Sequence, residues 1–158
     1  MLRQLRDILE DACRDSDIVI RWGGDEFLVV ARDQDATSIE ALAERVRDRI
    51  ASHAFQVGQG QVVRTTCSIG YACYPFIRPD SAALSWEQVV AVADRARYGS
   101  KRSGRNTWVG LASTDSTADA TTLAGLRHGL EELVQDRQLS LHTSIDGNSR
   151  QIEWTLED

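Results

Sequence analysis

Residues 21–27, Arg-Trp-Gly-Gly-Asp-Glu-Phe, constrain this chain more than any other stretch. Before them, Asp17-Ile18-Val19-Ile20 is apolar and β-branched, and after them Phe27-Leu28-Val29-Val30-Ala31 has the same character. Two strand-like runs joined across Gly-Gly predict a tight hairpin, because the favoured two-residue turns need positive φ and glycine adopts it at no steric cost. Asp25 and Glu26 follow the turn, and strand alternation predicts that they point to opposite faces of the sheet. An exposed glycine turn lets a phosphate approach the main chain, and a carboxylate beside it can hold the hard cation that accompanies a nucleotide.

Gly23-Gly24-Asp25-Glu26-Phe27 resembles, in all five letters, the signature of the GGDEF family of diguanylate cyclases. Flanking residues strengthen the likeness. Arg14 and Asp17 match the family's inhibitory RxxD site, with five residues between Asp17 and Gly23. Ser68-Ile69-Gly70 follows, and Ala93-Asp94-Arg95-Ala96-Arg97-Tyr98 with Lys101 and Gly104-Arg105-Asn106 closes a region of similarity over residues 1–110. The resemblance implies an α+β fold, a palm-type βαββαβ arrangement with an antiparallel-rich sheet flanked by helices. It also implies condensation of two GTP into cyclic di-GMP with Mg²⁺ or Mn²⁺. Asp25 and Glu26 are the implied catalytic and metal residues. Gly23, Gly24, Lys101 and Arg105 are the implied substrate-phosphate contacts, and Arg14, Asp17 and Arg45 the implied site for inhibitory cyclic di-GMP. Arginine can fork onto a phosphate or a guanine edge, and a carboxylate can accept from guanine. The bland reading of Arg14 and Asp17 is a surface ion pair worth about 0–1 kcal/mol. Arg97 and Ser100 depart from the family's usual leucine and alanine; Arg97 either joins its charge to Lys101 and Arg105 or snorkels outward.

Periodicity supplies the rest of the chain. Leu2, Leu5, Leu9 and Ala12 form one helical stripe, and Ile39, Leu42, Ala43, Val46 and Ile50 form another, with Thr37 or Ser38 as its N-cap. Phe55–Val57 and Val62–Thr66 predict a short hairpin around Gly58-Gln59-Gly60, and Thr65–Tyr71 a buried strand in which Gly70 marks a close backbone approach. Trp86, Val89, Val90, Ala93 and Ala96 predict a third helix to about Ser103, with Gly104 at its C-terminal cap and a closing strand over 106–109. Residues 111–122, rich in Ser, Thr, Asp and Ala, predict a linker. Leu123, Leu126, Leu130 and Leu133 then predict a helix, followed by strand-like runs at 139–145 and 151–156. Residues 123–158 resemble the lead-in to an EAL phosphodiesterase domain, without the Glu-Ala-Leu signature.

With 158 residues, 42% hydrophobic and 27% charged, the chain suits one soluble globular domain. No apolar run approaches the ~20 residues a membrane span needs, and a cytoplasmic location is expected. Three cysteines without metal spacing predict reduced thiols, and no histidine spacing suggests a metal or a catalytic base. A net charge of −6 argues against nucleic-acid binding but allows a local basic site. The family's first strand, with its further metal and guanine ligands, has no counterpart here, and Asp7, Glu10 and Asp11 on an amphipathic helix do not replace it. The expectation is therefore a fragment that leaves an open apolar sheet edge, packs as a homodimer and is a poor cyclase alone. A silent cyclic di-GMP receptor and a regulatory scaffold segment are the alternatives.

Overall fold

The computed structural model describes residues 1–77, 80, 82–114, 129–145 and 152–154, in two compact units, Met1–Cys67 and Ser68–Asp158. The first unit runs α1 (Leu2–Ala12), β1 (Ile18–Gly23), β2 (Glu26–Val30), α2 (Ala36–Ser52), β3 (Phe55–Gln56) and β4 (Val62–Val63). Helix α1 buries Leu9 and Ala12, and α2 buries Leu42, Ala43, Val46 and Ile50, as their stripes predict. The N-cap of α2 is Asp35, whose Oδ1 accepts from the Ser38 amide at 2.7 Å. A carboxylate beside the positive helix end outdoes the hydroxyls of Thr37 and Ser38, which fall inside the first turn. Gln4 of α1 bonds Gln56 of β3 in both directions, donating to its carbonyl at 2.8 Å and accepting from its amide at 3.0 Å.

Strands β1 and β2 form an antiparallel pair with Ile18 opposite Val30 and Ile20 opposite Leu28. Alternation sets Ile18 and Ile20 on one face, where they are 43% and 38% exposed. Among the described residues this sheet has two strands and β3–β4 is a second, separate pair.

The second unit runs β5 (Ile69–Ala72), α3 (Trp86–Arg102), β6 (Trp108–Ser113), α4 (Leu130–Gln135) and β7 (Leu139–Thr143). Its sheet has the order β5-β6-β7, with β5 parallel to β6 and β7 antiparallel to it. Parallel neighbours require a crossover, and α3 supplies it. A capping box starts α3: Ser85 Oγ accepts from the Gln88 amide, and Gln88 Oε1 accepts from the Ser85 amide. Val89, Val92 and Ala96 of α3 meet Val109 and Leu111 of β6, joined by Leu130, Leu133, Leu139 and Ile152. Full burial of Val109 and Leu111 contributes roughly 1.5–3 kcal/mol each. Trp86, expected in the stripe, is 55% exposed, since it opens the helix beside its cap. β6 runs to Ser113, into the stretch read as a linker, because Leu111 belongs to the core. Residues 152–154 are described and are not strand, whereas Leu123 and Leu126 lie outside the described residues.

Gly70 is where strand and helix touch. A Cβ there would stand 2.1 Å from the Ala93 carbonyl oxygen and 2.1 Å from the Arg97 nitrogen, both main chain. Gly70→Ala must push α3 off the sheet and should cost about 3 kcal/mol or more in chemical denaturation. Gly23→Ala, whose Cβ meets nothing within 4 Å, should stay within about 0.5 kcal/mol of the parent.

Candidate functional site

The hairpin turn is Gly24-Asp25, closed by the pair Gly23–Glu26, with a register shift between Arg21 and Gly23 that leaves Trp22 as the extra residue. Gly24 takes φ +49°, which explains the glycine at the first loop position. Asp25 therefore sits in the turn itself, and Glu26 is the first residue of β2; the expectation that both lie on the strand with opposite faces fails because the bulge moves the turn one residue on. Arg21 folds its guanidinium over the turn, donating to the Gly24 carbonyl from Nε at 3.1 Å and Nη2 at 2.9 Å. The tip is fully outward: Gly23, Gly24, Asp25 and Glu26 are all exposed, and a Cβ at either glycine would meet open space. The fold itself thus has no packing need for a bare Gly23.

Two neighbouring carboxylates are a small donor set. Among the described residues no group of three His, Cys, Asp or Glu side chains is placed to hold a metal. Magnesium commonly takes one or two carboxylates, with phosphate oxygens and water completing its shell. Asp25 and Glu26 fit a cation that arrives on nucleotide phosphates, not a protein-built cage.

Arg14, Asp17 and Arg45 all belong to the first unit. Asp17 Oδ2 accepts from the Arg14 amide at 2.9 Å, the Asp17 amide returns a bond to the Arg14 carbonyl at 2.9 Å, and Asp17 Oδ1 accepts from the Arg32 amide at 3.0 Å. The Arg14 amide most of all, with help from the Arg32 amide, holds the Asp17 carboxyl below the usual carboxylate range, and burial opposes this less than the Arg14 amide favours it. Each carboxylate oxygen keeps a second lone-pair direction for a ligand. Arg45 donates to the Ala12 carbonyl from Nε at 3.1 Å and Nη2 at 2.9 Å, satisfying a carbonyl that the end of α1 leaves without a helical partner. The guanidinium of Arg14 is exposed and makes no hydrogen bond to a described residue, though its charge reaches Asp17 and Asp35.

Lys101 and Arg105 belong to the second unit. Lys101 is exposed in the last turn of α3, where a cation suits the helix dipole. The helix ends at Arg102, so helical i, i+4 spacing does not relate the pair. Instead Gly104, Arg105 and Asn106 take φ of +100°, +59° and +49° in succession. Two consecutive non-glycine residues in that region cost on the order of 1–3 kcal/mol each, and such strain collects at functional sites. Neither Lys101 nor Arg105 has a side-chain partner among the described residues. Arg97 instead pairs with Asp94 at 2.7 Å, and Ser100 is buried.

Cys13, next to Arg14, feels the charges of Asp17 and Arg45. Burial pushes the Cys67 thiol up to about 11 and the Cys13 thiol upward, so neither is a thiolate at neutral pH. His53 contacts Gln4 and packs edge-on against Phe55.

The Asp17 shift has a pH signature. A carboxyl lowered by folding adds stability that is present above its unfolded value of about 3.9 and is lost as pH falls through the lowered folded value. Asp17→Ala should therefore melt below the parent at pH 7, and the gap should close in acid below about pH 4. A gap independent of pH over that range would show that the carboxylate bonds are not its cause.

The sequence model of the family described as "Diguanylate cyclase, GGDEF domain" matches residues 1–107. The chain is 34% identical over 106 residues to Diguanylate cyclase DosC of Escherichia coli (strain K12), covering 67% of this chain and 22% of that protein. It is 30% identical over 142 residues to the Bifunctional diguanylate cyclase/cyclic di-GMP phosphodiesterase MucR of Pseudomonas aeruginosa, covering 90% and 20%. It is 28% identical over 162 residues to the Cyclic di-GMP phosphodiesterase NbdA of the same species, covering 97% and 19%. The chain thus spans about a fifth of the length of these relatives. Among the described residues no helix is long and apolar enough to cross a membrane. With the family's signature at an exposed hairpin tip and the family match running through Arg105 to Thr107, the chain belongs to the GGDEF family of diguanylate cyclase domains.

Proposed function

We propose that residues 1–107 act in the condensation of two GTP molecules into cyclic di-GMP, with release of two pyrophosphates. The observation that carries this reading is the exposed Gly23–Glu26 tip, where open glycine backbone stands beside two carboxylates. In each half of the reaction a 3′-hydroxyl oxygen bonds to the α-phosphorus of the other nucleotide, the α–β anhydride bond breaks, and the hydroxyl proton passes to solvent. Such chemistry rests on positioning and on stabilising charge. Gly23 and Gly24 admit the phosphates to the main chain, and Lys101 and Arg105 neutralise them. Asp25 and Glu26 hold the divalent cation, Mg²⁺ or Mn²⁺, which supplies charge neutralisation on the phosphates when bound.

Two nucleotides must face each other, so the reaction calls for a homodimer, and its GTP places it in the cytoplasm. Arg14, Asp17 and Arg45 form the site for inhibitory cyclic di-GMP: Arg14 offers a free guanidinium and Asp17 a fixed carboxylate. For Arg45 to take part, the ligand must compete with the Ala12 carbonyl. The same residues support a second reading, a cyclic di-GMP receptor without turnover. The tail, 123–158, is read as the start of a following domain, which the longer coverage of MucR and NbdA supports.

Incubation of the chain with GTP and Mg²⁺ should yield cyclic di-GMP at the low rate expected of a poor cyclase, and Asp25→Ala should lower that yield about a hundredfold or more. Undiminished product from Asp25→Ala would sink the cyclase reading. Cyclic di-GMP binding should weaken roughly tenfold in Arg14→Ala, which removes one charge-assisted hydrogen-bonding group. Binding with that dependence, but no product from the parent chain, selects the receptor.

A further inference from the structure

Arg105 is held by residues far along the chain. The three left-handed residues Gly104, Arg105 and Asn106 lie between Ser103 and Thr107, and each of these flanking residues is bonded to the tail. On the near side, the Glu153 amide donates to Ser103 Oγ at 2.9 Å, and the Glu153 carboxylate lies 3.5 Å from Arg102. On the far side, Ser144 Oγ meets Thr107 Oγ1 and accepts from the Trp108 amide at 3.1 Å, while the Ser144 amide donates to the Trp108 carbonyl at 3.2 Å. Ser100, fully buried, closes the loop from below: its carbonyl accepts from the Arg105 amide at 3.2 Å, and its hydroxyl donates to the Thr107 carbonyl at 2.8 Å. Ile152 and Trp154 rest on Gly99, where an added Cβ would come within 2.9 Å of Ile152 and 3.1 Å of Trp154.

A left-handed run containing two non-glycine residues relaxes unless its surroundings over-determine it. Here the fixed points on both sides come from the tail. We propose that Ser144 and Glu153 are positioning residues that clamp the Arg105 loop for a nucleotide's triphosphate, so that the tail sets the affinity of the phosphate site. The inference rests on the reading of Arg105 as a phosphate contact. It gives the tail a role in that site whatever domain it leads to.

The test is calorimetric titration of the full chain with Mg·GTP and, separately, with inorganic triphosphate. Arg105→Ala should weaken both by about tenfold or more. Ser144→Ala and Ser103→Ala should each weaken both roughly threefold to tenfold, the effect of removing one positioning hydrogen bond. Ser144→Thr, which keeps the hydroxyl, should bind within about twofold of the parent. In the Arg105→Ala background the serine changes should have no further effect, because their influence passes through that side chain. General loosening of the unit would not give that coupling, and thermal melts identify any variant that fails to fold, Ser103→Ala serving if Ser144→Ala does. Serine variants that fold and bind like the parent, while Arg105→Ala binds poorly, overturn the clamp alone. No binding by the parent, or full binding by Arg105→Ala, overturns the phosphate reading and the clamp with it.

Discussion

At Gly70 no side-chain atom fits between β5 and the middle of α3, and the second unit is organised around that contact. Bare backbone at Gly70 lets α3 lie on the sheet closely enough for Val89, Val92 and Ala96 to reach Val109 and Leu111. The same closeness carries Ser100 into a place without water. A hydroxyl there needs a partner, and the carbonyl of Thr107 is the one it finds. Helix and strand are then tied together only a few residues apart in sequence, so the chain between them must reverse sharply. It does so through consecutive left-handed residues, and Arg105 is displayed at the bend. One missing methyl group thereby leads to one exposed cation.

The first unit shows a different use of charge. Several side chains that look free to recognise a ligand serve main-chain groups instead. Asp17 joins the turn after α1 to the end of β2, Arg45 satisfies the last turn of α1, Arg21 closes over its own hairpin, and Asp35 caps α2. Main-chain donors and acceptors at helix ends and turns cannot stay unpaired without cost, and a charged side chain is a strong partner for them. Of Arg14, Asp17 and Arg45, the latter two thus serve main-chain groups, while the Arg14 guanidinium makes no hydrogen bond to a described residue. Binding that recruits Arg45 would also free the end of α1, which links occupancy to the packing of that helix.

The elements with strong periodicity were legible from residues alone. The stripes of α1 and α2, the Gly-Gly hairpin, the short β3–β4 pair and the close approach at Gly70 follow from the spacing of apolar residues and glycine. Capping was legible in part. Gly104 falls where expected, but Asp35 preceded the hydroxyls favoured as the α2 cap, since spacing cannot say which of three adjacent oxygens reaches the helix. The bulge at Trp22 carries no residue-type signal, so the placement of Asp25 had to come from the register. Bonds from Asp17, Arg45 and Ser144 to main-chain atoms were equally hidden, because any residue offers those atoms. Thr107 is held by its carbonyl to the Ser100 hydroxyl and by its own hydroxyl to distant Ser144, and nothing local announces it.

Strand β6 has its register set from both sides: Trp108 opposite Ile69 and Val109 opposite Gly70 on one edge, Val109 opposite Thr143 and Leu111 opposite Leu141 on the other. Adding or removing a single residue in the bend before it would slide β6 against two neighbours at once and exchange the faces on which Trp108, Val109 and Leu111 pack. A change of length at residues 103–107 therefore costs stability even though Gly104, Arg105 and Asn106 are exposed, in the kind of place where insertions are ordinarily absorbed. The bend behaves as a fixed-length spacer.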